Sequence, residues 1–110
     1  MSDVIVCFAT ASSAEEAGKI ARALVEEQLA ACVNLVPGVR SIYRWEGKIE
    51  DAQEVMLVIK TRRHLLEDVI ARVRALHSYS VPEVIALDVA GGNADYLAWV
   101  TDSTWGPRRA

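Results

Sequence analysis

The chain has 110 residues, enough for a single domain over residues 1–110, and it is 52% hydrophobic and 25% charged, so it can build a packed core. A net charge of −3, with Lys and Arg spread along the chain, leaves out the clustered basic face that a nucleic-acid partner needs. No apolar run approaches the roughly 18 residues of a membrane-spanning helix, and MSDVIVCF lacks the basic and long apolar regions of a signal peptide, so a cytoplasmic protein is expected. A monomer of this size buries only about two-thirds of its unfolded surface, which favours assembly.

Val4 to Ala9 is a continuous apolar run, as a central strand requires. Ser12-Ser13-Ala14-Glu15-Glu16 follows, with two overlapping S-x-x-E capping boxes, and opens a helix. Its apolar stripe is Ala17, Ile20, Ala21, Leu24, Val25 and Leu29, at the helical period. Val33 to Trp45 and Lys48 to Lys60 then bracket Glu46-Gly47, a two-residue hairpin turn. Each arm is about twice the usual strand length, so the hairpin should project beyond the helices. Pro37-Gly38 interrupts the first arm, as an edge strand or a bulge permits.

A second helix is predicted from about Arg62 to Leu76, with Leu66, Val69, Ile70, Val73 and Leu76 as its apolar stripe. Pro82 forbids its continuation and starts an extended segment, with a strand at Val84 to Val89. Gly91-Gly92 breaks that strand, and Asn93 caps a short helix over Ala94 to Thr101. Pro107 to Ala110 reads as a polar tail. The order βαββαβ plus a C-terminal helix predicts an α+β, ferredoxin-like fold, an antiparallel sheet with both main helices on one face.

Several motifs occur in order: LAACVNL (Leu29 to Leu35), S-x-Y-x-W-x-G-K (Ser41 to Lys48), Glu54 with the run to Lys60-Thr61, H-x-Y-x-x-P-E (His77 to Glu83), Gly92, and Y-L-x-W (Tyr96 to Trp99). Together they resemble the CutA family of divalent-cation-tolerance proteins over almost the whole chain. The resemblance implies a cytosolic homotrimer of ferredoxin-like subunits linked to tolerance of copper and other divalent metal ions. It also implies a trimeric plan shared with PII-like signalling proteins. The family commonly reads H-P-Y where this chain has Ser78, and places that in some members hold a further histidine and a cysteine hold Leu76 and Ala9 here.

His77 has two readings. It is a helix-terminal histidine satisfied by a carbonyl, or an imidazole ligand for copper or zinc. Cys32 is the second candidate metal ligand if the fold brings the two together, since thiolate prefers copper(I). Cys7 reads as a small buried hydrophobe, and His64 with Asp68 as a solvated pair. Tyr43, Trp45, Glu54, Lys60, Tyr79 and Glu83 form a second set, lining either a ligand cleft between subunits or a packed interface. Lys60, Arg40 and Arg44 are the candidates for holding an anion in a PII-like sensor, although no glycine-rich phosphate cradle accompanies them. There is no Ser/His/Asp elbow, Walker loop or GxGxxG, and the loop after the first strand has neither arginine nor glycine, so an enzyme is not expected.

Overall fold

The computed structural model describes residues 3–106; the tail at 107–110 lies outside them. The elements are β1 (Val4–Ala11), α1 (Ala14–Glu26), β2 (Cys32–Trp45), β3 (Lys48–Arg62), a 3-10 turn (Arg63–Leu65), α2 (Leu66–Leu76), β4 (Val84–Asp88) and α3 (Ala94–Asp102). The four strands form one antiparallel sheet in the order β2-β3-β1-β4. This is the expected ferredoxin-like arrangement.

Strand alternation divides the sheet into two faces. Ile5, Cys7, Ala9 and Ala11 of β1 and Val55, Leu57 and Ile59 of β3 point one way and meet Ala17, Ile20 and Leu24 of α1 and Val69 and Val73 of α2. Both main helices therefore cover the same face. Ile20 and Leu24 are almost wholly removed from water, each contributing about 1.5–3 kcal/mol of transfer free energy. Truncating Leu57 in the middle of this core costs about 2–5 kcal/mol.

The other face is also apolar. Cross-strand rows run Val58–Phe8–Ile85 and Lys60–Val6–Leu87, with Ile85 and Leu87 exposed at 54% and 50%. Among the described residues only the end of this face is covered, where Val100 and Leu97 of α3 pack on Val4. Arg62 ties the segment after α3 to the sheet through Thr104, donating to its hydroxyl and carbonyl at 3.1 and 2.6 Å.

The hairpin behaves as its sequence requires. Glu46 and Gly47 adopt φ of 52° and 80°, the double left-handed geometry of a type I′ turn. A bulge falls between Val36 and Val39, where Gly38 takes φ 76°. Beyond it, Val39↔Glu54 to Trp45↔Lys48 pair only with each other, because β1 ends at Ala11↔Val55. The distal ribbon thus leaves the body of the sheet with both edges free.

Several boundaries differ from the sequence reading, β3 running on to Arg62 rather than Lys60. The second helix begins at Leu66 rather than near Arg62, because Thr61 and Arg62 still pair with Ile5 and Val4. Tertiary pairing there outweighs helical periodicity. The first strand continues to Ala11 for the same reason, with Met56 and Val55 opposite. The first helix stops at Glu26, and Leu29, expected on its stripe, follows a left-handed Gln28 at φ 60°. Leu29 N–H then bonds Leu24 O and Gln28 N–H bonds Val25 O, the Schellman pattern that satisfies the last carbonyls.

Candidate functional site

The segment ALHSYSVPE marks where α2 stops. His77 is its C-cap, with extended backbone at φ −87° and ψ 147°, so the ring leaves the helix and turns onto β1. Nε2 lies 2.6 Å from Thr10 O. A carbonyl only accepts, so Nε2 carries the proton. Nδ1 accepts the Tyr79 N–H at 3.0 Å, and the side chain has no solvent exposure. Both ring nitrogens are thus engaged within the chain, as a helix-terminal histidine satisfied by a carbonyl would have them.

Glu16, which the sequence places only in a capping box, organises the same corner. Ser13 caps α1 by accepting the Glu16 N–H at 3.1 Å, but the reciprocal half of the box is redirected. Glu16 Oε1 accepts from the N–H and hydroxyl of Ser12 at 3.1 and 3.0 Å, and Oε2 accepts the Ser78 N–H at 2.6 Å. Burial acts to raise its pKa, but the bonds from Ser78 and Ser12 outweigh it and hold the carboxyl below its usual value. A helix N-terminus favours that charge. Glu16 therefore fixes the start of α1 to the turn after α2.

Tyr79 then crosses to the hairpin. Its hydroxyl donates to Glu54 Oε2 at 2.7 Å, and Glu54 is buried at 6% exposure. Burial first, then the hydrogen bond and charge of Glu54, raise the Tyr79 pKa above the ordinary phenol range. Around this pair opens a cleft of about 730 Å³, bounded by the distal ribbon of the hairpin and the turn at Tyr79, Ser80 and Val81. Of the second set, Tyr43, Trp45, Glu54, Tyr79 and Glu83 line it. Glu50 joins them opposite Tyr43 on the ribbon; the pairing register, once known, identifies it.

Lys60 is not in the cleft lining. It sits opposite Cys32, with Nζ bonded to Asn34 Oδ1 and 4.0 Å from the Cys32 sulfur. Arg40 makes a two-pronged ion pair with Asp51 at 2.6 and 2.8 Å, and Arg44 also lies outside the cleft lining. The three cations offered for an anionic ligand do not converge.

Nor do His77 and Cys32 meet within one chain. His77 binds the carbonyl of Thr10, which is in register with Met56, whereas Cys32 is in register with Lys60. That offset along β3 is roughly 13 Å at the strand rise of about 3.3 Å per residue. Among the described residues no three His, Cys, Asp or Glu side chains form a group able to hold a metal ion. Cys32 is half-buried and Cys7 buried, with burial raising the Cys7 thiol to about 11. The Tyr96 phenol is pushed up by burial and then by the nearby Cys32 sulfur. His64 is exposed in the 3-10 turn, and no ion pair joins it to Asp68 among the described residues.

The family model described as CutA1 divalent ion tolerance protein matches residues 5–103. The chain belongs to the CutA1 family. It is 52% identical over 99 residues to the divalent-cation tolerance protein CutA of Thermus thermophilus, across 90% of this chain and 96% of that one. It is 50% identical over 100 residues to a chloroplastic CutA protein of Arabidopsis thaliana, covering 91% of this chain but 55% of the relative. The chain thus spans about half the length of that plant protein. The crystal structure of CutA from Xylella fastidiosa matches with a TM-score of 0.91 at 46% identity, over 94% of this chain and 99% of that one. The CutA1 family is named for cation tolerance, not for a reaction. No helix among the described residues is long and apolar enough to cross a membrane.

Proposed function

We propose that the chain acts as a cytoplasmic, homotrimeric, single-domain protein of divalent-cation tolerance that binds copper or other divalent ions weakly and catalyses no reaction. The observation that carries the assembled form is the apolar open face of the sheet, with Phe8, Val58, Ile85 and Leu87 in adjoining rows. An antiparallel sheet whose second face meets water alternates polar residues outward; contiguous apolar residues there mark a contact surface. The projecting ribbon adds two free edges, which invite uncontrolled pairing unless another copy covers them. Closed cyclic symmetry satisfies both demands, and three subunits is the number the family resemblance implies.

Metal uptake is assigned to His77 and Cys32 separately. Imidazole suits copper and zinc, and thiolate suits copper(I), but tight sites need three or four ligands. Binding at His77 also has to displace the Thr10 or Tyr79 bond. Sedimentation equilibrium of the wild type tests the assembly, and a stable monomer at micromolar concentration defeats it. Copper titration of wild type, His77→Ala and Cys32→Ser tests the metal reading. Weakened binding in either variant supports it, and three identical isotherms defeat it.

A further inference from the structure

We propose that the cleft between the distal ribbon and the turn after α2 binds a small organic cation, an ammonium group carried on an aromatic or aliphatic body. The inference does not depend on the metal reading.

Among the described residues the lining contains Glu50, Glu54 and Glu83 and no lysine or arginine, so its electrostatic preference is for positive charge. Glu54 supplies the anchor. It is 94% withdrawn from solvent by its 6% exposure, and only Oε2 is occupied, by the Tyr79 hydroxyl. Oε1 accepts no hydrogen bond from the described residues, yet it is not sealed from solvent-sized space. A buried carboxylate with an open oxygen on a cleft calls for a donor or a cation there, because a desolvated charge left uncompensated is costly.

Among the described residues no group of three or more His, Cys, Asp or Glu side chains could hold a bare metal ion, so a larger cation suits the cleft better. Three of the remaining lining residues are aromatic, beside Thr10, Ser41, Ile42, Ser80 and Val81. Tyr43 pairs with Glu50 across the ribbon, Trp45 follows on the same face, and the Tyr79 hydroxyl bonds Glu54. Aromatic faces attract ammonium groups and pack against apolar bodies. A space of about 730 Å³ is of the size that takes small organic molecules.

The experiment is an NMR titration of the full-length wild-type protein with three probes of one shape: phenethylamine, the neutral 2-phenylethanol, and the anion phenylacetate. Phenethylamine is expected to give saturable shifts at cleft residues, with the alcohol at least about tenfold weaker and phenylacetate giving none. Glu54→Gln is expected to weaken the amine at least about tenfold, and Trp45→Ala about threefold. Glu83→Gln and Trp45→Ala alter exposed side chains, so they remain informative if the Glu54 variant unfolds. The proposal is overturned by equal affinity for amine and alcohol, by unchanged amine affinity in every folded variant, or by no binding up to about 10 mM. A copper chloride arm separates the two ligand classes: tighter copper binding that shifts the same cleft residues and displaces the amine also overturns it.

Discussion

The Tyr79 hydroxyl reaches Glu54 Oε2 at 2.7 Å, joining the turn after α2 to the base of the hairpin. Tyr79 stays protonated because burial, and then the Glu54 carboxylate, raise its pKa. The bond ties down the ribbon just where β1 no longer supports the hairpin, beyond Val55. Tyr79→Phe keeps the ring and removes the donor, leaving a buried carboxylate without its partner. Loss of a hydrogen bond to a charged group costs about 1.5–3 kcal/mol. Urea unfolding should show that loss as a lower midpoint with unchanged slope; an unchanged midpoint would mean that the pair adds nothing to stability.

Glu16 gives a pH-dependent counterpart. Its carboxyl is held below the usual value of 4.5 by the Ser78 and Ser12 bonds, which outweigh the opposing effect of burial. A depressed folded-state pKa means that the native protein favours the ionised form. The contribution is therefore complete above about pH 4.5 and disappears as pH falls through the lower native value. Glu16→Gln should cost about 1–3 kcal/mol at neutral pH through its weakened bond to the Ser78 N–H. Stability curves for variant and wild type should converge on acidification below that range. A gap that stays constant to pH 2 would show that charge is not the cause.

Local features of the fold were legible, and long-range contacts were not. Glu46-Gly47, Pro37-Gly38 and Pro82 announce a turn, a bulge and a strand start because each acts through its own backbone. The core face of β3 follows from the alternation of Val55, Leu57 and Ile59, whereas the continuous apolar run of β1 does not tell its two faces apart. The start of α2 was misplaced because Arg62 is held in the sheet by Val4, a partner 58 positions away. The same limit governs the site. Tyr43, Trp45 and Glu83 carried a compositional signal, but nothing local in the sequence reveals that Glu16 meets Ser78 across 62 positions or that His77 meets Thr10 across 67.

Two glycines should respond to alanine with opposite signs. Gly18 lies inside α1, and a Cβ there meets nothing within 4 Å. Gly18→Ala should stabilise by about 0.5–1 kcal/mol, because alanine loses less backbone freedom in a helix. Gly106 has φ +76°, and a Cβ would lie 2.6 Å from Leu65 Cδ2. Its N–H also bonds Gln28 O at 2.9 Å, pinning the C-terminal segment to the end of α1. Gly106→Ala should cost about 1–3 kcal/mol through the left-handed backbone and the displaced leucine. Thermal unfolding of the two variants beside wild type gives the signs, and a neutral Gly106→Ala would show that the segment detaches without consequence.

The open sheet face gives the strongest test of assembly. Ile85 stands opposite Phe8 in an apolar row and is 54% exposed within one chain. Within a lone subunit, Ile85→Lys therefore removes little core packing, and its ammonium group can reach water. Within the proposed trimer the same ammonium is enclosed among apolar side chains without a partner, at a cost of about 3–5 kcal/mol. Dissociation should then rise by at least about 100-fold, while far-UV circular dichroism stays that of the wild type. Val25→Lys is the control, since Val25 has a comparable 42% exposure but lies on α1, behind the other face. Sedimentation velocity across a dilution series should show Ile85→Lys dissociating at concentrations where wild type and Val25→Lys remain assembled. The melting temperature of Ile85→Lys should also fall on dilution, because subunit binding adds to the stability of the native state by mass action. If Ile85→Lys sediments with the wild type throughout, the open face is not the contact surface, and the free edges of the ribbon become the place where copies would have to join.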